Sequence, residues 1–210
     1  MKISWLPLML LVVLGAVVLS SSARANELLV DEAVAELQEK DFDAALRKLL
    51  EAEKSDPGSA VVLNLLGAAY TKKKDYATAR SYFEKSLARQ PSFFPPAFNL
   101  GELLFLEGRY PQALDAFTKL LAVDPDHELL QFKVVLCLML ADRDDDAEEL
   151  LRRMRFPGQG PAWYYAQAAF QMNEGHRRQA RELLACAQVI FPKETSLYDE
   201  TFENLGWPTR

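Results

Sequence analysis

Histidine and cysteine are scarce in this chain of 210 residues, which contains two of each. These numbers exclude a disulfide scaffold and nearly exclude a metal site with the usual four Cys/His ligands. Positive charge is also in short supply, because 24 basic residues stand against 30 acidic ones and the formal net charge is −6. Such a chain has no long-range attraction for a polyanion, so nucleic acid is not an expected partner.

Polar side chains are almost missing from residues 3–19, where Ser4 is the only one. Lys2 precedes this stretch, and Ala23-Arg24-Ala25 follows it with two small residues in a small-x-small pattern. These features predict a signal peptide over residues 1–25 that is cleaved after Ala25. We therefore expect an exported protein, periplasmic or secreted. The alternative is an inner-membrane anchor through residues 3–19, because about 17 apolar residues is the short limit for crossing a bilayer.

A repeat of about 34 residues runs through the rest of the chain. Its alanine marker recurs at nearly constant spacing, at Ala45, Ala79, Ala113, Ala147 and Ala180. Each alanine is followed four residues later by Leu or Phe, and a proline recurs in the same phase at Pro57, Pro91 and Pro125. Self-similarity at a fixed period of this length is typical of proteins built from stacked supersecondary units.

The clearest unit covers residues 60–93. It reads Leu63-x2-Leu66-Gly67-x2-Tyr70, then Ala79-x3-Phe83, then Pro91. This pattern resembles the tetratricopeptide repeat, W-x2-L-G-x2-Y followed by A-x3-F and P, with only the Trp position changed. The resemblance implies an all-α fold, namely an α-solenoid that winds as a right-handed superhelix. It would contain about five helical hairpins, over residues 26–59, 60–93, 94–127, 128–160 and 161–194.

Residues 195–210 predict a C-terminal capping helix and tail. Leu197, Phe202 and Leu205, with Tyr198 beside them, suit one amphipathic face, and Gly206 and Pro208 would end the helix. We expect Trp207 to pack back on the last unit.

No arrangement in the sequence indicates catalysis. His127 and His176 lie in predicted links and turns without the partners of a nucleophilic site. The aspartates of residues 142–146 begin like a calcium loop, but Ala147 and Arg153 stand where that loop needs Gly and Glu. Cys137 and Cys186 are expected to be small buried residues of different hairpins. We therefore predict a protein that is not an enzyme and has no cofactor and no metal.

The resemblance to tetratricopeptide repeats also implies a binding groove. In that family the first helices line a concave surface with positions 2, 5, 6, 9, 12 and 13 of each unit, called groove positions below. Carried over to this chain, the candidate partner-binding residues are Asn64, Phe98, Asn99, Glu102, Phe105, Phe132, Lys133, Leu136, Met139, Tyr165 and Met172. Their aromatic and apolar character favours an apolar peptide or an amphipathic helix as the ligand. Alternatively, these side chains pack between hairpins, or the N-terminal stretch of the chain fills the groove.

The expected function is that of a non-catalytic protein–protein interaction adaptor or scaffold of the cell envelope. Its partner would be another protein, and a membrane would be involved only if the signal segment stays uncleaved. A second hypothesis is a periplasmic, chaperone-like holder of a passenger segment, and a third is an accessory domain of an enzyme.

Overall fold

The structure, a computed structural model, describes residues 24–209. Residues 1–23, which hold the apolar stretch of the predicted signal peptide, lie outside the described residues. Within residues 24–209, no helix combines the length and the apolar character needed to cross a bilayer.

Helices form all the regular secondary structure of the described residues. The first, α1, includes residues 24–38. The others are α2 (Phe42–Ser55), α3 (Ala60–Lys72), α4 (Tyr76–Arg89), α5 (Phe94–Leu106), α6 (Tyr110–Leu121), α7 (Glu128–Met139), α8 (Asp144–Arg153), α9 (Ala162–Asn173), α10 (Arg177–Ile190) and α11 (Ser196–Asn204). Five successive pairs and a final single helix confirm the predicted all-α class. The helices form two compact units, one ending at Pro96 and one starting at Ala97.

The first unit is held together by the apolar faces of α1 to α4. Leu49, Leu66 and Val62 are at most 1% exposed in its core. The ring of Phe83 on α4 lies directly against Gly67 on α3, where an added Cβ atom would collide with it. Position 67 therefore requires glycine, because the Phe83 ring occupies the space beside the α3 backbone where a side chain would lie. The repeat pattern predicts a small residue at this position.

The second unit repeats this contact and adds a larger core. Phe117 on α6 lies against Gly101 on α5 in the same way. Helix α7 lies at the centre of the core, and every residue from Phe132 to Met139 is buried. A helix that is buried on nearly every side must be covered on nearly every side, and α6, α8 and α9 pack directly against α7.

The turns inside the five hairpins share one backbone conformation. A residue with left-handed φ between 56° and 81° occurs in each turn, at Lys40, Lys74, Gly108, Asp142 and Gly175. The next amide then donates to a carbonyl five residues earlier, as Asp75 N does to Tyr70 O at 3.0 Å. This bond closes the first helix and turns the chain toward the second. Glycine was expected at this position in the third and fifth hairpins, and there it adopts positive φ without a Cβ penalty.

We predict that Gly101→Ala destabilises the protein. The new Cβ atom would lie 2.6 Å from Cε1 of Phe117, closer than packed atoms come. Overpacking of this kind costs about 1–3 kcal/mol, which outweighs the ~1 kcal/mol that alanine gains over glycine inside a helix. Thermal unfolding followed by circular dichroism should show a lower midpoint.

Gly58→Ala is the matched control. Its Cβ atom would lie 3.5 Å from Oδ1 of Asp56, an ordinary contact in an exposed link. The midpoint of Gly58→Ala should stay near that of the unchanged chain. Equal stability of Gly101→Ala and Gly58→Ala would contradict the close approach of Phe117 to the α5 backbone.

Candidate functional site

Most of the predicted groove residues of the second unit are buried within the chain. Six of them are at most 5% exposed, namely Phe105, Phe132, Lys133, Leu136, Met139 and Tyr165. Four are half-buried, namely Phe98, Asn99, Glu102 and Met172. Asn64 lies on α3 of the first unit and is 9% exposed. The structure therefore matches the alternative that these side chains pack within the chain, and their role in partner binding stays a prediction.

Helix α11 covers two of these groove residues. The ring centroid of Tyr198 lies 5.0 Å from that of Phe132 and 5.1 Å from that of Tyr165. Phe202 lies 5.4 Å from Tyr165 with its ring edge-on, and 6.5 Å from Phe132. We call Phe132, Tyr165, Tyr198 and Phe202 the aromatic cluster. Rings at these separations gain free energy from both burial and the favourable alignment of their quadrupoles.

The buried face of α11 has helical spacing. Thr195, Tyr198, Thr201 and Phe202 are at most 8% exposed, at steps of three, three and one residues. Leu197 was expected on this face, but it is 57% exposed, because it lies one residue before Tyr198 and points to another side of the helix. Leu197 was selected for its apolar character, whereas Thr201, which is polar and yet buried, was missed.

The end of α11 is fixed by a Schellman motif. Gly206, at φ 70°, donates to Glu203 O at 3.0 Å, and Trp207 N donates to Phe202 O at 2.9 Å. The Trp207 ring meets Phe202 edge-on, with centroids 5.2 Å apart, which is the apolar contact that accompanies this motif. Trp207 thus packs on Phe202 of α11 and against the core of the second unit.

Lys133 brings a charge into the buried face of α7. Its side chain is 2% exposed, and its Nζ atom donates to Glu102 Oε2 at 2.8 Å and to Thr201 Oγ1 at 2.7 Å. The same ammonium lies 5.2 Å from the centroid of the Phe105 ring. Two acceptors and an aromatic face compensate for the lost hydration of this cation. One of the two acceptors belongs to α11, so the charge of Lys133 is fully partnered only when α11 is in place.

A second polar contact joins α9 and α11. The Tyr165 hydroxyl donates to the Asp199 carboxylate. Burial and the hydrogen bond to Asp199 raise the pKa of Tyr165 above its usual range, and burial also raises the pKa of Tyr198. Both phenols therefore stay protonated near neutral pH, and Tyr165 remains a donor toward α11.

The remaining candidates for chemistry have structural roles. Asp144, Asp145 and Asp146 form the first turn of α8, where acids suit the positive end of the helix dipole. His127 Nδ1 accepts the amide of Leu130 at 3.3 Å, and His176 Nδ1 lies 3.1 Å from Glu174. Within residues 24–209, no group of three or more His, Cys, Asp or Glu side chains could hold a metal ion.

The two cysteines are free and differ in exposure. Cys137 is fully buried on α7, as expected. Cys186 on α10 is exposed, so the expectation that both are buried is wrong for this residue. Both cysteines lie on helices. Residue type alone does not tell whether Cys186 is on the buried or the exposed face of α10.

The link between α8 and α9 differs from the other links. The Glu128 carboxylate accepts the amides of Gln159 at 2.6 Å and Gly160 at 2.8 Å, which holds this link against the start of α7. Beside it, a cleft of about 520 Å³ opens between α8 and α9, and its wall includes Trp163 and Phe156, whose ring centroids are 4.3 Å apart with the planes inclined by 43°. The repeat of residues 128–160 has Gln159 at the position where Pro57, Pro91 and Pro125 occur in the first three repeats, in agreement with its irregular link.

Helix pairs of similar length, joined by the same turn and packed on small residues, define a helical-hairpin repeat protein of the α-solenoid class. The chain belongs to the tetratricopeptide repeat family: family models of that description match residues 30–92, 70–131 and 104–170. Tetratricopeptide repeats act in protein–protein interaction.

The chain is similar to several proteins in sequence or in fold. Small glutamine-rich tetratricopeptide repeat-containing protein 2 of Saccharomyces cerevisiae is 31% identical over 88 residues, 42% of this chain and 25% of that protein. The chain spans about a quarter of the length of the curated relatives it matches. A thermophilic TPR protein of Thermus thermophilus superposes with a TM-score of 0.69 at 22% identity, covering 86% of this chain and 99% of that one. Pseudomonas aeruginosa pilF superposes with 0.65 at 16% identity, covering 89% and 88%. At such identities the superpositions show the fold.

We predict that only one of the two thiols reacts in the folded protein. Burial raises the pKa of the Cys137 thiol to about 12, so at pH 8 it stays protonated as well as shielded. Cys186 is exposed and should react with a chromogenic disulfide reagent without unfolding. We expect one fast equivalent per chain and a second only in denaturant.

Cys186→Ser should abolish the fast equivalent and keep the one released by denaturant. If both thiols of the unchanged chain reacted equally fast, the buried position of α7 would be contradicted. If neither reacted even in denaturant without a reductant, the cysteines would be oxidised.

Proposed function

We propose that the protein is a non-catalytic protein–protein interaction adaptor that binds an apolar peptide or one face of an amphipathic helix at the groove positions of α5, α7 and α9. One observation carries this proposal: an amphipathic helix, α11, already lies on groove residues of α7 and α9. The contacts of Tyr198 and Phe202 with Phe132 and Tyr165 support a ligand with an aromatic, amphipathic face.

The groove combines features that suit peptide recognition. Phe132 and Tyr165 offer large apolar surfaces, and Lys133 and the Tyr165 hydroxyl add polar donors with fixed positions. Interfaces of this kind obtain affinity from aromatic anchors and specificity from a small number of polar contacts. The adaptor role needs no catalytic group, in agreement with the capping and helix-dipole roles of His127 and the α8 aspartates.

The proposed place of action is the cell envelope, after export through the signal segment. The basis is the apolar stretch of residues 3–19 with its small-residue site at Ala23 and Ala25. A chaperone-like holder of a passenger segment is the alternative, because the same groove would also suit an unfolded apolar segment.

A pull-down with the tagged full chain tests the adaptor role. We expect one or a few proteins to co-purify in fixed stoichiometry and to be lost by about tenfold or more in Met172→Glu. Met172 occupies a half-buried groove position of α9, and a carboxylate placed in an apolar interface loses hydration without gaining a partner. Quantitative mass spectrometry of the eluted proteins gives the measurement.

Val189→Glu is the matched control, because Val189 is 81% exposed on α10, away from the groove positions. It should retain all partners. Equal retention by Met172→Glu, in a variant that unfolds at the same temperature as Val189→Glu, would place the binding surface elsewhere. A varied set of unfolded proteins held without fixed stoichiometry would favour the chaperone-like alternative.

Export predicts a shortened chain in the envelope. Cell fractionation followed by mass spectrometry should find the protein in the periplasm or medium with Asn26 at its N-terminus. Ala25→Pro, which spoils the small-residue site, should leave the longer chain in the membrane fraction. Recovery of the intact chain from the membrane without any substitution would indicate the anchored form.

A further inference from the structure

We infer that α11 covers the surface to which the partner binds. The partner would bind there as a short amphipathic helix and displace α11. The partner helix carries two aromatic side chains four residues apart, with hydrogen-bond acceptors between them, as Tyr198, Asp199, Thr201 and Phe202 do on α11. This inference rests on the proposed adaptor function and specifies its ligand.

The aromatic pair of α11 fixes the apolar part of this pattern. Tyr198 and Phe202 are separated by four residues, so both lie on one face of the helix. Both are at most 6% exposed and touch both Phe132 and Tyr165. A replacement helix must supply two rings at this spacing, or the groove would keep a water-accessible apolar surface.

The polar contacts fix the rest of the pattern. The Thr201 hydroxyl donates to Leu197 O at 2.8 Å, so toward Lys133 it acts as an acceptor. Asp199 accepts the Tyr165 hydroxyl. A helix with apolar residues at both places would bury the ammonium of Lys133 without its second acceptor, at a cost comparable to a lost charged hydrogen bond. These two donors therefore select helices with acceptors at the matching positions.

Helix α11 is suited to exchange because it is short and is joined to the rest of the second unit by one short link. Its nine residues extend for about 14 Å, and residues 191–195 alone connect it to α10. A helix of this length is not stable by itself, so released α11 would unfold and gain conformational entropy. Short elements with few neighbours open locally at lower free energy than the core to which they bind.

If a ligand has to displace α11, the apparent affinity of the groove for that ligand depends on how tightly α11 is bound. While α11 is bound, the groove is open only in the fraction of molecules from which it has detached, and the apparent affinity for any ligand falls by that fraction. A change on α11 that weakens its own contacts should therefore increase binding without altering the groove.

The test uses a fluorescent peptide with the sequence of residues 195–209 as the probe. It is titrated against the full chain and against the full chain with Tyr198→Ala and Phe202→Ala, which leaves α5, α7 and α9 unchanged. We expect the peptide to bind the substituted chain at least tenfold more tightly. A peptide that itself carries Tyr198→Ala and Phe202→Ala should lose most of this binding, whereas a peptide with Leu197→Ala, an exposed position, should keep it.

The polar part of the pattern has its own comparison. A Thr201→Val peptide should bind the substituted chain about tenfold more weakly than the unsubstituted peptide, because Lys133 would lose an acceptor. The difference should shrink when the chain carries Lys133→Met. Equal affinity of the unsubstituted and Thr201→Val peptides for the chain with Lys133 would overturn the acceptor requirement.

If the chain with Tyr198→Ala and Phe202→Ala does not fold, amide hydrogen exchange of the unsubstituted chain provides a second test. Excess peptide should accelerate amide exchange in residues 196–204 and leave α7 protected. No peptide binding in either arm, or binding without release of residues 196–204, would overturn the inference. Concentration-dependent dimers without peptide would show that a second copy of the chain, through its own α11, is the occupant instead.

The failures of the two proposals can be told apart. If the peptide of residues 195–209 does not bind but Met172→Glu still loses its co-purifying proteins, the adaptor function stands and the inferred pattern of the partner helix is wrong. If the peptide displaces α11 but no protein depends on the groove in the pull-down, the groove accepts such a helix and the adaptor function is wrong.

Discussion

The close approach of an aromatic ring to a helix backbone is the constraint on which the hairpins depend. In the second and third hairpins a phenylalanine ring occupies the space that a glycine leaves free, and a methyl group there would collide with the ring. This contact sets how near the two helices lie, and the apolar seams on either side follow from it. Because one hairpin leaves an apolar face open, each needs a neighbour, and the same requirement reaches the last hairpin of the chain.

Helix α11, which follows the last hairpin, covers part of the candidate binding surface. Helix α7 is apolar on nearly every side and has to be covered, and α11 supplies the cover at the groove positions. A helix that ends a repeat array commonly has only to present a polar face to water. Here its inner face is aromatic and covers Phe132 and Tyr165, two of the predicted groove residues. The same contacts that stabilise the last hairpins therefore also occupy the candidate binding surface.

Lys133 adds directional polar contacts to this packed surface. A buried ion pair contributes little to stability, because loss of hydration offsets most of the attraction between the charges. Its contacts with Glu102 and Thr201 do, however, fix one register of α11 against α7. Buried polar groups of this kind discriminate between ligands, since a helix without an acceptor at that place leaves a charge unpaired. Apolar burial holds α11 against α7, and this cation fixes its register.

The sequence by itself determined the hairpins. The spacing of Ala79 and Ala113, of Gly67 and Gly101, and of the turn positions is local or follows the repeat, so it can be read along the chain. The sequence also indicated that residues 195–205 form an amphipathic helix, although it put Leu197 on the wrong face and left out Thr201. Only the tertiary structure decided that this helix lies on Phe132 and Tyr165 and pairs with Lys133, burying residues expected to line the groove. These contacts join residues that are far apart in the chain, for example 68 positions for Lys133 and Thr201. Apolar residues that face a partner look the same in sequence as those that face α11.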